Sequence, residues 1–101
     1  MANRLDLQSI LEELLDSRNV YYQPPESIKM QYDAIKYSKK NIMTRHANNG
    51  KYSMMDCYEL IVIARKPDHP VIKKLLMLPY CSYDRQYVAS NLYHDVLTLY
   101  F

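Results

Sequence analysis

Few residues in this chain could do chemistry. The histidines are His46, His69 and His94, and the thiols are Cys57 and Cys81. A zinc site needs pairs of the C-x-x-C or H-x-x-x-H type. No two histidines stand at such a spacing, and the cysteines are far apart in sequence. Two cysteines also make no disulfide framework. His94 and Asp95 are neighbours, but adjacent strand residues point to opposite faces. A structural hydrogen bond suits them better than an orienting dyad. No serine sits in a G-x-S-x-G elbow, and the single glycine, Gly50, leaves no Gly-rich phosphate loop. Glu12, Glu13 and Asp16 read as a solvated helix face rather than an acid–base pair. Asp84-Arg85 reads as an ion pair that fixes a turn or meets a partner. The residues therefore give no catalytic, cofactor-binding or metal-binding set, and the chain is expected not to be an enzyme.

What the sequence does offer is charge and aromatic surface. Residues 1–27 hold two bases and five acids, whereas residues 28–52 hold six bases and one acid. Lys36, Lys39, Lys40, Arg45 and Lys51 are interleaved with Tyr37 and Tyr52. Basic residues among aromatics fit a phosphate backbone or an acidic protein surface; a solvated loop is the bland alternative. The whole chain carries only +2, which does not mark it as a polyanion binder. Eleven tyrosines against no tryptophan and one phenylalanine favour protein–protein contact, since the ring is apolar and its tip polar.

These residues must be positioned by one small domain spanning 1–101. Its centre is Y-S-M-M-D-C-Y-E-L-I-V-I-A-R-K, Tyr52 to Lys66, which lacks Gly and Pro. The run Leu60 to Ala64 is apolar on both faces and predicts a central strand covered on both sides. At about 3.3 Å per residue the stretch would reach roughly 50 Å, longer than a domain of radius about 13 Å can bury. The Tyr52 end is expected to project as one arm of a long hairpin. A shorter strand, Tyr58 to Arg65, is the alternative. Met54, Asp56 and the tip from Lys39 to Lys51 are then candidate contacts with another subunit.

Around this centre, residues 4–18 have helical periodicity. Leu7, Ile10, Leu11, Leu14 and Leu15 form one stripe, and Asn3 is a candidate N-cap. Val20 to Gln23 is a short extended segment before Pro24-Pro25. Tyr32 to Ser38 reads as a strand, and residues 39–51 as its connection to the next one. Asp68 as cap and Pro70 in the first turn predict a short helix. Its inner face is Val71, Ile72, Leu75 and Leu76. Two strands follow, Tyr83 to Ala89 and Leu92 to Tyr100, with Ser90-Asn91 turning between them. The last strand is apolar on both faces, so it must be central or paired with another chain. The fold expected is α+β: a mainly antiparallel sheet of four to five strands, an N-terminal helix, a short second helix and a protruding β-hairpin. The start of the chain does not read as a signal peptide. No apolar run reaches the ~18 residues of a membrane span, so the chain reads as a soluble protein of a reducing compartment.

The ending L-P-Y-C-x-Y-D-R-x-Y-V-A-x-N-L-x-H-D-V (Leu78 to Val96), with P-P-E-S-I-K-M-Q-Y (Pro24 to Tyr32) and Arg65-Lys66-Pro67-Asp68, resembles a family of small tailed-bacteriophage neck proteins. These are the tail terminator or tail completion proteins, of the lambda-type terminator kind. The resemblance covers most of residues 20–101. It implies a mixed sheet flanked by helices and six copies in a ring. That ring caps the tail tube, ends its polymerisation and meets the head connector, while phage DNA passes through the lumen. It implies no cofactor, no membrane and a place in the virion neck after assembly in the host cytoplasm. A head-completion or stopper ring on the connector side is the near alternative. A small nucleic-acid-binding module is the alternative from another class. Candidate contact residues are Lys36, Lys39, Lys40, Arg45, Lys51, Tyr52, Met54, Asp56, Glu12, Glu13, Asp16, Asp84 and Arg85.

Overall fold

The computed structural model describes residues 4–25, 27–42 and 56–101. Its elements are α1 (Arg4–Leu15), β1 (Val20–Tyr22), β2 (Ala34–Ile42), β3 (Asp56–Ala64), α2 (Pro70–Leu76), β4 (Cys81–Ala89) and β5 (Leu92–Tyr100). The five strands form one sheet in the order β1-β2-β3-β5-β4. Only β1 and β2 run parallel; the other three pairings are antiparallel. The fold is thus the expected α+β arrangement of two helices on a mainly antiparallel sheet.

Strand alternation divides the sheet into two faces. One is the helix face, where Ile35, Tyr37, Tyr58, Leu60, Val62, Leu97 and Leu99 pack against Leu7, Leu11 and Leu15 of α1 and Val71 and Leu75 of α2. β3 lies between β2 and β5, and Leu60, Val62, Ile63 and Ala64 are buried. β5 is interior too, which answers the demand its apolar faces make. Tyr37 and Tyr58 are core residues, not surface ones. Tyr37 satisfies its hydroxyl by donating to Gln8 Oε1 at 2.6 Å. Burial pushes the pKa of both phenols up.

Several boundaries differ from the sequence expectation. α1 ends at Leu15 rather than residue 18, because Asp16 adopts φ 60° and the Ser17 amide bonds back to Glu12. That is a left-handed helix end of the kind glycine usually provides. β2 begins at Ala34 and runs to Ile42, so Lys39 and Lys40 are strand residues rather than part of a connection. β4 begins two residues early, at Cys81. The cap of α2 is His69, not Asp68, which takes φ 59°; the His69 ring accepts the Val71 amide at 3.0 Å. Leu76 is 39% exposed and does not share the inner face with Val71 and Leu75. The candidate cap Asn3 and the expected hairpin tip and arm (Arg45, Lys51, Tyr52, Met54) lie outside the described residues. Within them, the β2–β3 ladder reaches Ile42 opposite Asp56, where Asp56 exchanges two backbone bonds with Phe101.

Candidate assembly surface

The groups with chemical potential are kept apart or held in structural roles. Cys57 pairs in register with Tyr100 and Cys81 with Leu99, so the two thiols lie on opposite faces. His94 and Asp95 also face opposite ways. The His94 ring stacks on Tyr87 at 4.7 Å. The buried Asp95 carboxylate accepts from the Tyr83 hydroxyl at 2.7 Å and from Gln86 Nε2 at 2.9 Å. That bond, more than burial, pushes the Tyr83 phenol up to about 12. His69 has both nitrogens engaged: Nδ1 accepts the Val71 amide and Nε2 lies 3.4 Å from Asp33 Oδ2. The acceptor role of Nδ1 places the proton on Nε2. Among the described residues no three His, Cys, Asp or Glu side chains gather as a metal site.

The charged contact candidates separate into three groups. Lys39 pairs with Asp56 across the β2–β3 ladder at 3.2 Å, and that bond pushes the lysine pKa up. Lys36 is half-buried and Lys40 exposed on the same strand. On α1, Glu12 accepts from Gln8 at 2.9 Å, while Glu13 and Asp16 are exposed. Asp84 and Arg85 pair at 2.8 Å on exposed β4. A register shift between Tyr83 and Arg85 marks a bulge at this point. It lets two consecutive side chains meet on one side.

Two contact candidates of the sequence, Asp84 and Arg85, belong to a larger surface whose extent the sequence did not fix. β4 is the sheet edge, and every residue from Ser82 to Ala89 is exposed. Nine large apolar side chains are exposed among the described residues; Leu76, Met77, Tyr80, Tyr83, Tyr87 and Val88 are six of them. Met77 reaches 84% exposure. They lie on the end of α2, the turn after it and β4, with Tyr83 and Val88 on the helix face of the sheet and Tyr87 on the other. An apolar hollow of about 280 Å³, lined by Ile10, Leu78, Pro79, Tyr80, Leu99 and Phe101 among others, adjoins them. Large exposed apolar area of this kind marks an interaction site. An unpaired strand is in addition a template for a further strand. The signal available in the sequence was the run of tyrosines from Tyr80 to Tyr87. It does not say which strand of the sheet is outermost. No family model, curated protein or solved structure matches the chain.

Proposed function

We propose that this chain is a structural subunit of a phage neck. Six copies form a ring that caps the tail tube, ends tube polymerisation and joins the tail to the head connector. DNA passes through the lumen without sequence-specific contact. The observation that carries the reading is the rim of α2 and β4. Its exposed strand edge and six exposed apolar side chains suit a subunit that is buried by neighbours. The resemblance of Leu78 to Val96 to the terminator ending supplies the kind of assembly. Lys36, Lys40, Glu13 and Asp16, exposed or half-exposed on β2 and at the end of α1, are further candidates for contact with the tube protein or a neighbour. Arg45, Lys51, Tyr52 and Met54 keep the same proposed role.

Electron microscopy of virion necks, with rings assigned by side-chain density, tests this. The expected result is six copies between tube and connector with β4 buried at a contact. Density for this chain on the connector side of the neck would move it to the stopper ring. Its absence from the virion would end the reading.

A further inference from the structure

We infer that two copies of this chain join through β4, antiparallel and about a two-fold axis that passes between Asp84 and Arg85. The joined sheets form one continuous sheet of ten strands. The inference does not rest on the ring. A two-fold contact uses one patch twice, whereas a ring joins unlike patches, so the pair is a form of the chain outside the neck and must open before β4 serves a ring.

The hydrogen bonds of β5 fix the direction of the β4 backbone. The Tyr100 amide bonds to the Tyr80 carbonyl, and Phe101 exchanges bonds with Asp56 of β3. Even-numbered residues of β5 therefore bond toward β4 and odd-numbered ones toward β3. Ser82 stands opposite Thr98, Arg85 opposite Val96, Tyr87 opposite His94 and Ala89 opposite Leu92. Those four β4 residues turn their backbone groups inward. Cys81, Tyr83, Gln86 and Val88 turn theirs outward, with the bulge between Tyr83 and Arg85 shifting the phase.

The outward set is symmetric about the Asp84–Arg85 bond. Antiparallel pairing about that centre places Cys81 opposite Val88 of the partner subunit and Tyr83 opposite Gln86 of the partner subunit, and the reverse. All four outward residues then meet outward residues and can exchange backbone bonds. A slip of one residue sets outward groups against inward ones. A slip of two keeps only half of the matches. The two bulges face each other across the axis, so neither strand has a surplus residue.

The same register matches the side chains. Asp84 comes opposite the partner's Arg85, and Arg85 opposite the partner's Asp84, so the exposed 2.8 Å pair becomes a four-charge cluster of alternating sign. Val88, 61% exposed, and Tyr83, 44% exposed, lie on the helix face and gain apolar neighbours across the seam. A bulge and charges can also blunt an edge against pairing. On this strand they are placed so that pairing restores both the ladder and the charges.

The test is the solution mass of the purified chain by sedimentation, with three variants. The expected mass is twice 12.0 kDa. Val88→Pro removes an outward N–H, which an edge strand tolerates, and is expected to leave a folded monomer. Asp84→Arg and Arg85→Asp each set like charges opposite each other and are expected to weaken the pair about tenfold or more. Mixing those two variants is decisive: the mixture is expected to recover a heterodimer, which the pair within one chain cannot explain. This arm holds even if the proline variant fails to fold. A monomeric parent chain would overturn the inference and leave the bulge as a blunting device. So would a dimer that persists in every variant, or a mixture that recovers nothing. Six-subunit particles indifferent to all three changes would overturn the pairing while leaving the ring standing.

Discussion

At the β1 edge of the sheet the chain satisfies both outward backbone groups of Val20; at the β4 edge the whole strand is exposed. β1 is three residues long. Its Val20 carbonyl takes the Gln8 amide at 3.0 Å, and the Val20 amide bonds to Arg18 at 2.7 Å. Arg4 lies 4.4 Å over the Tyr22 ring, closing the side with α1. β4 is nine residues long, and α2 reaches its helix-face side without covering its edge. A nine-residue exposed edge offers a further strand a longer ladder than a three-residue one held by α1.

The largest effect is expected on the α1 side of the sheet. Leu11 is fully buried and anchors α1 over the sheet. Leu11→Ala is expected to cost about 3 kcal/mol through lost transfer energy and the cavity left behind. Val88→Ala on the open side is expected to cost under about 0.5 kcal/mol. Urea unfolding of both measures the contrast; equal midpoints would show that the two sides differ less than their burial implies.

Gln8 is the next largest. It accepts from Tyr37 and donates to Val20 and Glu12. Gln8→Ala leaves those partners unsatisfied and is expected to cost about 1–2 kcal/mol. Amide exchange along β1 should accelerate, while exchange along β4 should not.

On the open side, Tyr83→Phe removes one of the two donors to buried Asp95, an expected loss of about 1 kcal/mol. The phenol also titrates in a defined window. Its folded pKa of about 12 stands above its usual value of 10.0. The protonated phenol is the form the fold favours, so its contribution is complete below pH 10 and falls as pH rises toward 12. Stability measured from pH 9 to 12 should fall more steeply for the parent chain than for Tyr83→Phe, once the other tyrosines are matched by that comparison. The smallest effect is expected at Lys39. Its pair with Asp56 is open to water, so Lys39→Met should leave the urea midpoint unchanged.

Legibility of the fold followed the length of each apolar pattern. The stripe from Leu7 to Leu15 and the unbroken run from Leu60 to Ala64 each admit one solution, a helix on a sheet and a central strand. Ser90-Asn91 was readable as a turn, and both residues indeed take positive φ, 53° and 63°, as a two-residue hairpin requires. Caps and ends were less legible. His69 displaced Asp68 as cap because Asp33, distant in sequence, comes within reach of its other ring nitrogen. β2 ran four residues past its weak alternation because β3 offered a ladder as far as Asp56. Of the charged residues singled out at first, Lys39 met Asp56 and Asp84 met Arg85 within the chain, while the tyrosines read as contact residues were not divided between core and surface.

By itself the sequence determined the elements, because helix and strand periodicities are local, and it marked β3 as central; for β5, apolar on two faces, it left two solutions, a place inside the sheet or pairing with another chain. It also placed eleven tyrosines without assigning them. Which of these went to the core and which to the rim was decided by strand order and by sheet face: Tyr100, on interior β5 but on the face away from the helices, is 37% exposed. Tyr37 and Tyr58 sit on β2 and β3 under the helices, and Tyr83 and Tyr87 on the outermost strand. Strand order is set by long-range pairing between residues far apart in the chain. No local pattern of polar and apolar residues encodes which strand is left with one neighbour.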